Sequence, residues 1–394
     1  MIATATKAVE TPKALEAPVE SVKTGVRYAA SAQSANIPRH RSSPALNTKT
    51  SEQLFDSNPE NDFIYRPGEL VWFNKGSAWG LSIILKRQMR GGGTHQFLVQ
   101  PLSHPYSHPA HVVKDRGSIR PWLAWSVPST TLKQINDFTY DQVPWDRVLR
   151  GDFNQPNRSN DPEVDASILA AKGINEGYSF FDRVDIPTAP GEVHYKGMFL
   201  GGEKVWVGEP VRLMGDTKDE IVIMVVHQMI ERTTDTNSSV TIVGDIYKFV
   251  KMPTPQQYLD RSSWPTSVDL PARVNTDLIF RNEVAANAGT NVWREWRLLE
   301  PMARKSLADI KGRWYETRFL LPTLRGPEAF ALDMAAGEAS DAGLFMNSRV
   351  DMLSGPAKRK RNRLATLGRA VPADLKISRG LDGPAEDNVF PDQV

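Results

Sequence analysis

The sequence predicts a mainly β protein with minor α content. We expect a small antiparallel β-barrel or sandwich module, a second β-rich module, and disordered N- and C-terminal tails. Residues 62–126 contain runs of about five β-prone residues separated by Gly-rich turns, a pattern typical of small antiparallel sheets. Residues 221–231 and 240–250 are two longer β-rich runs, and no catalytic motif interrupts the surrounding stretch, residues 197–315.

The composition limits the classes of protein to which the chain can belong. Its 394 residues allow about two domains plus tails, at roughly 100–200 residues per domain. The formal net charge is only +2, so any contact with nucleic acid must come from a local basic patch. The absence of cysteine excludes disulfides, thiol nucleophiles and cysteine-based zinc sites. The sequence has neither a secretory signal nor an apolar run of about 20 residues, so we expect neither secretion nor a membrane span.

The first part of the chain divides into a tail and a small module. Residues 1–60 are rich in Ala, Ser, Thr, Pro and Lys and have few large apolar side chains, so we expect a disordered tail. Residues 61–150 are predicted to fold as a small β-rich module of the Tudor or SH3-like kind. Its strands are expected at residues 70–73, 79–85 and 95–100, which are separated by turns rich in glycine.

The remainder divides into a linker, a second module and another tail. Residues 151–196 form the linker. Within it, residues 162–173 predict a short helix, because acidic residues occupy its first turn and Lys-Gly closes it. Residues 197–347 form the second β-rich module. Residues 348–394 are expected to be a disordered basic tail.

Motifs that carry common enzyme mechanisms are absent from the sequence. It has no Gly-rich phosphate loop, no His-Glu-x-x-His pair, no nucleophile-elbow serine and no dinucleotide fingerprint. We therefore predict a binding protein rather than an enzyme, with no cofactor. His104, His108 and His111 could bind zinc or copper through their imidazoles, which leaves a metalloprotein as an alternative. The neighbouring prolines disfavour a helix that would align the three side chains, so no metal site is predicted.

Aromatic residues of the first module offer a candidate recognition site. Trp72, Phe73 and Trp79 could form an aromatic cage that binds a methylated ammonium through cation–π attraction. Under that hypothesis the chain would read histone tails on its own. The alternative is that these rings pack into the core of a small barrel. The solvent exposure of the three rings distinguishes the two hypotheses.

Two basic clusters are candidate sites for nucleic-acid contact or nuclear import. Lys86, Arg87 and Arg90 lead into a triple-glycine turn and could bind DNA phosphates, although a solvated loop would have the same composition. The second cluster has five cations within six residues: Lys358, Arg359, Lys360, Arg361 and Arg363. We interpret it as a nuclear localisation signal or a nucleic-acid-binding tail, with a solubilising tail as the alternative. The nucleus is therefore the expected location.

Several long segments together resemble the fungal transcription-silencing family called cryptic loci regulator two. They lie at residues 65–72, 79–81, 100–105, 120–126, 164–172, 197–213, 243–247 and 309–316. The resemblance covers residues 65–347. Within it, residues 202–321 resemble a bromo-adjacent homology (BAH) domain, which begins with a strand of the form Gly-Glu-x-Val-x-Leu, as residues 208–213 do. Such domains often close near a segment like residues 309–315.

The resemblance implies a nuclear, non-enzymatic scaffold subunit of a repressor complex. In that family the complex, known as SHREC, joins a histone deacetylase to a chromatin remodeller at heterochromatin. The scaffold would tether the deacetylase near histone tails. A methyl-DNA-binding-like module is implied for residues 65–126, so nucleosomal DNA and histones are further candidate partners.

Two features depart from the family pattern. An Ala/Thr/Ser-rich head lies ahead of Tyr65. In addition, no complete aromatic cage is identified in the BAH-like part, which argues against direct recognition of a methylated histone there. A stand-alone histone-tail or DNA reader is the alternative function.

Overall fold

The computed structural model describes residues 49–76, 78–90, 94–123, 127–154, 160–185, 189–214, 220–234, 238–339 and 356–378. The side chain of Arg90 is not part of that description. All of these residues belong to one compact unit. Residues 1–48 of the predicted N-terminal tail lie outside the described residues, and so do residues 348–355 and 379–394 of the predicted C-terminal tail.

Strands dominate the part of the chain that the structure describes, which confirms the predicted mainly β class with minor α content. The strands are β1 Leu70–Asn74, β2 Trp79–Arg90, β3 Thr94–Pro101, β4 Val112–Asp115, β5 Ile119–Pro121, β6 Gly177–Val184, β7 Glu192–Leu200, β8 Glu203–Trp206, β9 Pro210–Leu213, β10 Val222–Thr233, β11 Ser238–Met252, β12 Trp293–Lys305, β13 Ile310–Arg313 and β14 Lys358–Arg359.

The helices in the same residues are fewer than the strands. They are α1 Ser51–Ser57, α2 Trp145–Arg150, α3 Pro162–Asn175, α4 Ala272–Asn287, α5 Thr317–Arg325, α6 Pro327–Ala335 and α7 Arg363–Leu367. Single 3₁₀ turns occur at Arg116–Ser118, Lys133–Ile135, Tyr140–Gln142, Gln256–Tyr258, Arg261–Ser263, Leu307–Asp309 and Gly368–Ala370. None of the described helices combines the length and the apolar character that crossing a membrane requires.

The first sheet is antiparallel and follows the order β4-β3-β2-β1-β5. It contains the strands predicted at residues 70–73, 79–85 and 95–100, so those predictions are confirmed. Among the described strands, β4 and β5 each have a single neighbour in this sheet. The sheet is therefore open, and the predicted barrel is not closed.

Both faces of the first sheet are buried. Successive side chains of a strand point to opposite faces. Leu70, Leu81 and Ile83 enter a core that also contains α3, whereas Val71 and Phe73 enter a second core on the other face. The tryptophans and leucines of the first module are thus used mainly for packing.

Helix α3 lies in the predicted linker, where the sequence predicts a helix. The Asp161 carboxylate accepts hydrogen bonds from the backbone N–H groups of Glu163 (3.0 Å) and Val164 (3.1 Å), and Pro162 occupies the first turn. Both features favour the start of a helix at this point. The apolar residues of α3 then pack against the first sheet.

The second sheet follows the order β12-β11-β10-β7-β6-β14, with β8 paired to β7 and β9 paired to both β10 and β13. The runs predicted at residues 221–231 and 240–250 are confirmed as β10 and β11, which pair in antiparallel fashion. These strands approach so closely that a Cβ atom on Gly244 would collide with the carbonyl oxygen of Val225. Glycine at this position therefore permits the pairing.

The second sheet also has a core on each face. Met224, Met229 and Ile242 lie in one core, and Val274 of α4 packs with Trp296 in the other. Both sheets lie in the same compact unit. The boundaries predicted for the modules and the linker stay predictions.

Residues 49–60 differ from the sequence prediction of a disordered tail. They include α1, whose buried side chains are polar ones. Glu52 binds Lys204 and Asp56 binds Trp206, which lie 152 and 150 residues further along the chain. Composition alone could not predict this helix, because distant residues supply its partners.

Residues 356–378, which we call the C-terminal strap, also correct a prediction of disorder. They form β14, which pairs in parallel with β6, and α7. Leu367 and Val371 enter the core beside the first sheet, and the Ser378 N–H donates to the Leu85 carbonyl (2.9 Å). The strap is ordered because it buries apolar side chains and contacts both sheets.

Candidate interaction surfaces

The structure separates the three rings predicted to form an aromatic cage. Trp72 and Phe73 are neighbours on β1, so their side chains point to opposite faces of the first sheet. Trp72 stacks on Trp122 with 5.9 Å between ring centroids, and Phe73 is only 4 % exposed. The guanidinium of Arg120 lies 4.8 Å from the ring centroid of Trp79. The cage hypothesis for these three residues is wrong, because adjacent residues of one strand cannot line the same pocket.

The predicted basic loop, Lys86, Arg87 and Arg90, does not lie entirely on the protein surface. Arg87 is 1 % exposed, its Nη2 atom lies 2.5 Å from Asp56 Oδ1, and its guanidinium lies 4.5 Å from the Phe55 ring centroid. The prediction that Arg87 contacts phosphate is therefore wrong, since its charge is neutralised inside the protein. Lys86 is half-buried, and the side chain of Arg90 lies outside the described residues. Phosphate contact by Lys86 and Arg90 stays a prediction.

The fold engages most of the cations predicted to form a nuclear localisation signal. Lys358 Nζ lies 2.7 Å from Glu176 Oε2. Arg359 donates two hydrogen bonds, of 2.7 and 3.2 Å, to the Glu231 carboxylate. Arg363 is 6 % exposed. The expected disordered context is corrected, because the cluster belongs to the ordered C-terminal strap, and its role in import stays a prediction.

Arg363 connects the strap to both sheets. Its Nε donates to the Gly68 carbonyl (2.8 Å), just before β1, and its Nη1 donates to the Gly201 carbonyl (2.7 Å), between β7 and β8. The guanidinium also lies 4.6 Å from the Phe199 ring centroid. Burial lowers the pKa of Arg363 to about 9. Two other cations of the cluster have no ion pair among the described residues: Lys360 and Arg361.

A buried charged junction lies where α1 meets the two sheets. The Asp56 carboxylate lies 2.5 Å from Arg87 Nη2 and 3.6 Å from Arg66 Nε, and it accepts a hydrogen bond from Trp206 Nε1 (2.8 Å). Burial by itself would raise the pKa of Asp56. The neighbouring cations Arg87, Arg66 and Lys204 outweigh burial and hold the pKa well below its usual range. Asp56 therefore keeps its charge in the folded protein.

Lys204 fills an aromatic cage that its own chain builds. The ammonium lies 5.0 Å from the ring centroid of Phe181, 5.5 Å from that of Phe199 and 4.9 Å from that of Trp206, within the range of cation–π attraction. Glu52 of α1 supplies the matching carboxylate. Burial lowers the pKa of Lys204, although Glu52 opposes that shift. The sequence identified no complete cage in this region, and the one that exists holds an internal lysine.

Paired side chains tie residues 65–72 to the second sheet. Arg66 donates two hydrogen bonds to Glu209, of 2.7 and 2.8 Å. Arg313 Nε lies 3.1 Å from Glu69 Oε1. All four side chains are buried. All four residues lie in segments that carry the family resemblance. The resemblance therefore includes the place where the two sheets join.

Glu203 organises a second part of the junction. Its carboxylate accepts hydrogen bonds from the Tyr315 hydroxyl (2.8 Å) and from the backbone N–H of Arg313 (2.9 Å). Gly312 has a φ of +153°, and a Cβ atom there would collide with Glu203 Oε2, so this contact requires glycine. Burial raises the pKa of Tyr315 well above its ordinary value. The hydroxyl therefore remains protonated and donates to Glu203.

Sequence reasoning missed these junction residues, although one signal was available. The signal is the pair of charged residues Glu203 and Lys204, which stand next to apolar residues in the sequence. Both belong to β8, and every residue of that strand is buried. Charges inside otherwise apolar segments must be paired when they are buried. The partners of such charges, however, come from distant parts of the chain, and the sequence does not identify them.

The histidines considered as a metal site lie in a packed loop. The Tyr106 N–H donates to His104 Nδ1 (3.3 Å), and the ring centroid of His104 lies 6.5 Å from that of Trp145. His111 is exposed. Within the described ranges, no group of three His, Asp or Glu side chains is arranged to hold a metal ion.

A groove of about 270 Å³ lies beside the open edge of the first sheet. It runs between the β1–β2 connection, β4 and the first turn of α3. Phe73, Gly80, Val112 and Val164 line it with other apolar residues. A Cβ atom on Gly80 would lie 2.9 Å from Phe73 Cε1. Glycine at that position therefore leaves room for the phenylalanine ring beneath the groove.

Two lysines border the groove, and they differ in their pairing. Lys75 Nζ lies 3.4 Å from Asp161 Oδ2 and 3.3 Å from Glu163 Oε2, so carboxylates of the α3 start already neutralise it. Lys114 Nζ lies 5.8 Å from the Phe73 ring centroid. No carboxylate in the described ranges forms an ion pair with Lys114. The groove therefore presents one cation that a ligand could neutralise.

Two sheets joined by buried ion pairs, with an apolar groove at an open edge, define a mainly β protein. Residues 194–316 match the family of transcription-silencing protein Clr2. The match begins within β7, ends at the residue before α5, and includes Lys204, Glu209 and Arg313 of the charged junction. The predicted resemblance to this silencing family is therefore confirmed over these residues.

Comparison with solved structures and curated proteins adds two findings. A structure of Clr2 bound to the Clr1 C-terminus matches with a TM-score of 0.43 and 15 % sequence identity, covering 80 % of this chain and 58 % of that chain. This chain therefore spans less than two thirds of the length of that neighbour. No curated protein matches the chain.

Proposed function

We propose that this chain is a non-enzymatic scaffold subunit of a nuclear repressor complex that contains a histone deacetylase and a chromatin remodeller. In this role it would act in heterochromatin formation and transcriptional gene silencing. The observation that carries the proposal is the match of residues 194–316 to the transcription-silencing protein Clr2 family. The proposal extends that match to a SHREC-like assembly and to a location at heterochromatin.

The mechanism that we propose is multivalent tethering. A scaffold that holds a deacetylase and a remodeller together raises the effective concentration of each near its nucleosomal substrate. Such tethering is most effective when the binding surfaces keep a constant spacing. The buried pairs Arg66–Glu209 and Arg313–Glu69 support this, because they hold the two sheets against each other.

The pairing of the buried ionisable groups with other residues of the chain supports a role without catalysis. Asp56, Lys204 and Glu203 all have partners within the chain. Groups satisfied in this way maintain the structure and are not available to a substrate. The internally filled cage around Lys204 likewise argues against methyl-lysine recognition at that place, so the scaffold is favoured over the alternative of a stand-alone histone reader.

Affinity purification from nuclear extract tests the proposed function. The tagged full-length chain is captured and its partners are identified by mass spectrometry. Co-purification of a histone deacetylase and a remodelling ATPase supports the scaffold. A clean preparation with neither partner contradicts it and favours a stand-alone histone-tail or DNA reader.

A further inference from the structure

β4 is the strand at one end of the first sheet. Among the described strands it pairs with β3 alone. Outside that pairing, its backbone makes no hydrogen bond to the remainder of the described chain. An unpaired strand edge is a template for a further strand. Extended peptides bind such edges through main-chain hydrogen bonds, and neighbouring pockets for alternate side chains select their sequence.

The groove supplies a pocket on one face of that edge. Val112 and Lys114 are two residues apart on β4, so their side chains share a face. Both line the groove together with Phe73. Its volume of about 270 Å³ is slightly below the roughly 300–1,000 Å³ of small-molecule sites. The groove therefore suits one or two side chains of a peptide better than a complete small ligand.

Lys114 determines the charge that this edge favours. Within the described ranges Lys114 has no ion pair, whereas Lys75 already has two carboxylates. A carboxylate on an added strand, directly opposite Lys114, would form a favourable cross-strand pair, and a cation in the same place would be repelled. The preferred occupant is therefore acidic at that position.

We propose that the β4 groove is a docking site for an extended, acidic segment of a partner protein, which adds to β4 as a new strand. One apolar side chain of the segment enters the groove beside Phe73 and Val112, and a carboxylate pairs with Lys114. The proposal goes beyond a scaffold role and does not depend on it, because it follows from the strand edge, the groove and one unpaired cation.

Fluorescence anisotropy with the purified full-length chain tests the proposal. The probes are a labelled peptide, acetyl-Gly-Val-Thr-Asp-Thr-Val-Gly, in which valine and aspartate two residues apart share one face of a strand, and the same peptide with lysine in place of the aspartate. The acidic probe is expected to bind and the basic probe is not. Lys114→Glu is expected to weaken the acidic probe about tenfold and to strengthen the basic one, since it replaces a cross-strand attraction with a repulsion.

Two further variants distinguish binding in the groove from a general attraction between the acidic probe and positive charge elsewhere on the surface. Lys133→Glu changes an exposed lysine outside the groove and is the matched control, which should leave binding unchanged. Gly80→Ala presses on the Phe73 ring, so it should weaken the acidic probe without a change of charge. Circular dichroism of each variant verifies the fold.

Three results would overturn the proposal. The first is no binding of the acidic probe, and the second is an equal loss of binding for the changes at Lys114 and Lys133. The third is a dimer, detected by sedimentation, that Lys114→Glu dissociates. A dimer of that kind would mean that a second copy of this chain, rather than a partner, occupies the β4 edge.

Discussion

Arg66 and Glu209 form a buried ion pair with two hydrogen bonds, of 2.7 and 2.8 Å, although 143 residues separate them in the sequence. Arg66 lies just before β1 of the first sheet, and Glu209 lies just before β9 of the second. Removing one member of such a pair leaves the other buried without compensation. The pair therefore strongly favours the one arrangement of the two sheets in which both charges are satisfied.

Substitution of Arg66 should show how much the buried Arg66–Glu209 pair matters for the free energy of unfolding. Arg66→Ala is expected to lower the free energy of unfolding by about 3–5 kcal/mol, because the Glu209 carboxylate would remain buried alone. Arg297→Ala removes an exposed pair with Glu295 and should cost less than about 1 kcal/mol. Denaturant titration followed by tryptophan fluorescence gives both values. Equal losses would contradict the burial of the junction.

Arg363 should matter for stability more than its cationic neighbours do. Arg363→Ala leaves the carbonyls of Gly68 and Gly201 without their charged donor, so we expect a loss of at least about 2 kcal/mol. Arg361→Ala, at an exposed position of the same strap, is the control and should have little effect. Thermal unfolding measures both variants. A stable Arg363→Ala protein would show that the strap does not depend on this contact.

Nuclear import can be separated from the structural role of the strap. If the cluster is an import signal, replacing Lys360 and Arg361 with alanine should reduce the nuclear fraction of a fluorescently tagged chain. The same double variant should keep the unfolding free energy of the parent, since neither side chain forms an ion pair in the described ranges. Unchanged nuclear localisation would place the import signal outside this cluster.

The stability of the protein should decrease in mildly acidic solution. Burial lowers the pKa of His95, although Asp62, 2.8 Å away, favours the protonated ring. The unfolded chain therefore binds the proton at a higher pH than the folded protein does. The contribution of His95 is complete above the unfolded pKa of about 6.5 and is lost as the pH falls below that value. Burial shifts three other pKa values in the same direction: those of His104, His108 and His194.

Denaturant titrations between about pH 7.5 and pH 5.5 measure this dependence. The free energy of unfolding should fall across the interval for the parent chain. His95→Gln should reduce the slope, because that ring no longer takes up a proton on unfolding. His111→Gln, at an exposed position, is the control. An identical slope for the parent and His95→Gln would refute the assignment.

Replacing glycine with alanine should lower the stability of the protein at one position and raise it at another. In Gly244→Ala the new methyl group meets the Val225 carbonyl, so we expect a destabilisation of about 1–3 kcal/mol or more. Gly173 lies in α3 with nothing close to its Cβ position, and Gly173→Ala should stabilise by about 0.5–1 kcal/mol. Melting temperatures of the two variants test the pairing of β10 with β11. Tolerance of alanine at Gly244 would contradict it.

The predicted strands and the helix α3 depend on signals that adjacent residues carry. Glycine turns separate β1, β2 and β3, and Asp161 with Pro162 marks the start of α3. Helix α1 and the C-terminal strap carry only short helix-start signals, Thr50 and Asn362, and the composition around them indicates disorder. Asp56 and Arg363 are ordered by groups elsewhere in the chain, so a composition of small and charged residues wrongly indicated disorder for both segments.

The sequence by itself determined the mainly β class, the principal strands and the resemblance to a silencing family, because side-chain periodicity and turn residues act over a few neighbouring positions. Tertiary structure decided which charged and aromatic residues are accessible. It buried Arg87 and Arg363, placed Trp72 and Phe73 on opposite faces of one strand, and filled an aromatic cage with Lys204. Burial and ion pairing are properties of residues brought together from distant parts of the chain, and local sequence patterns do not contain that information.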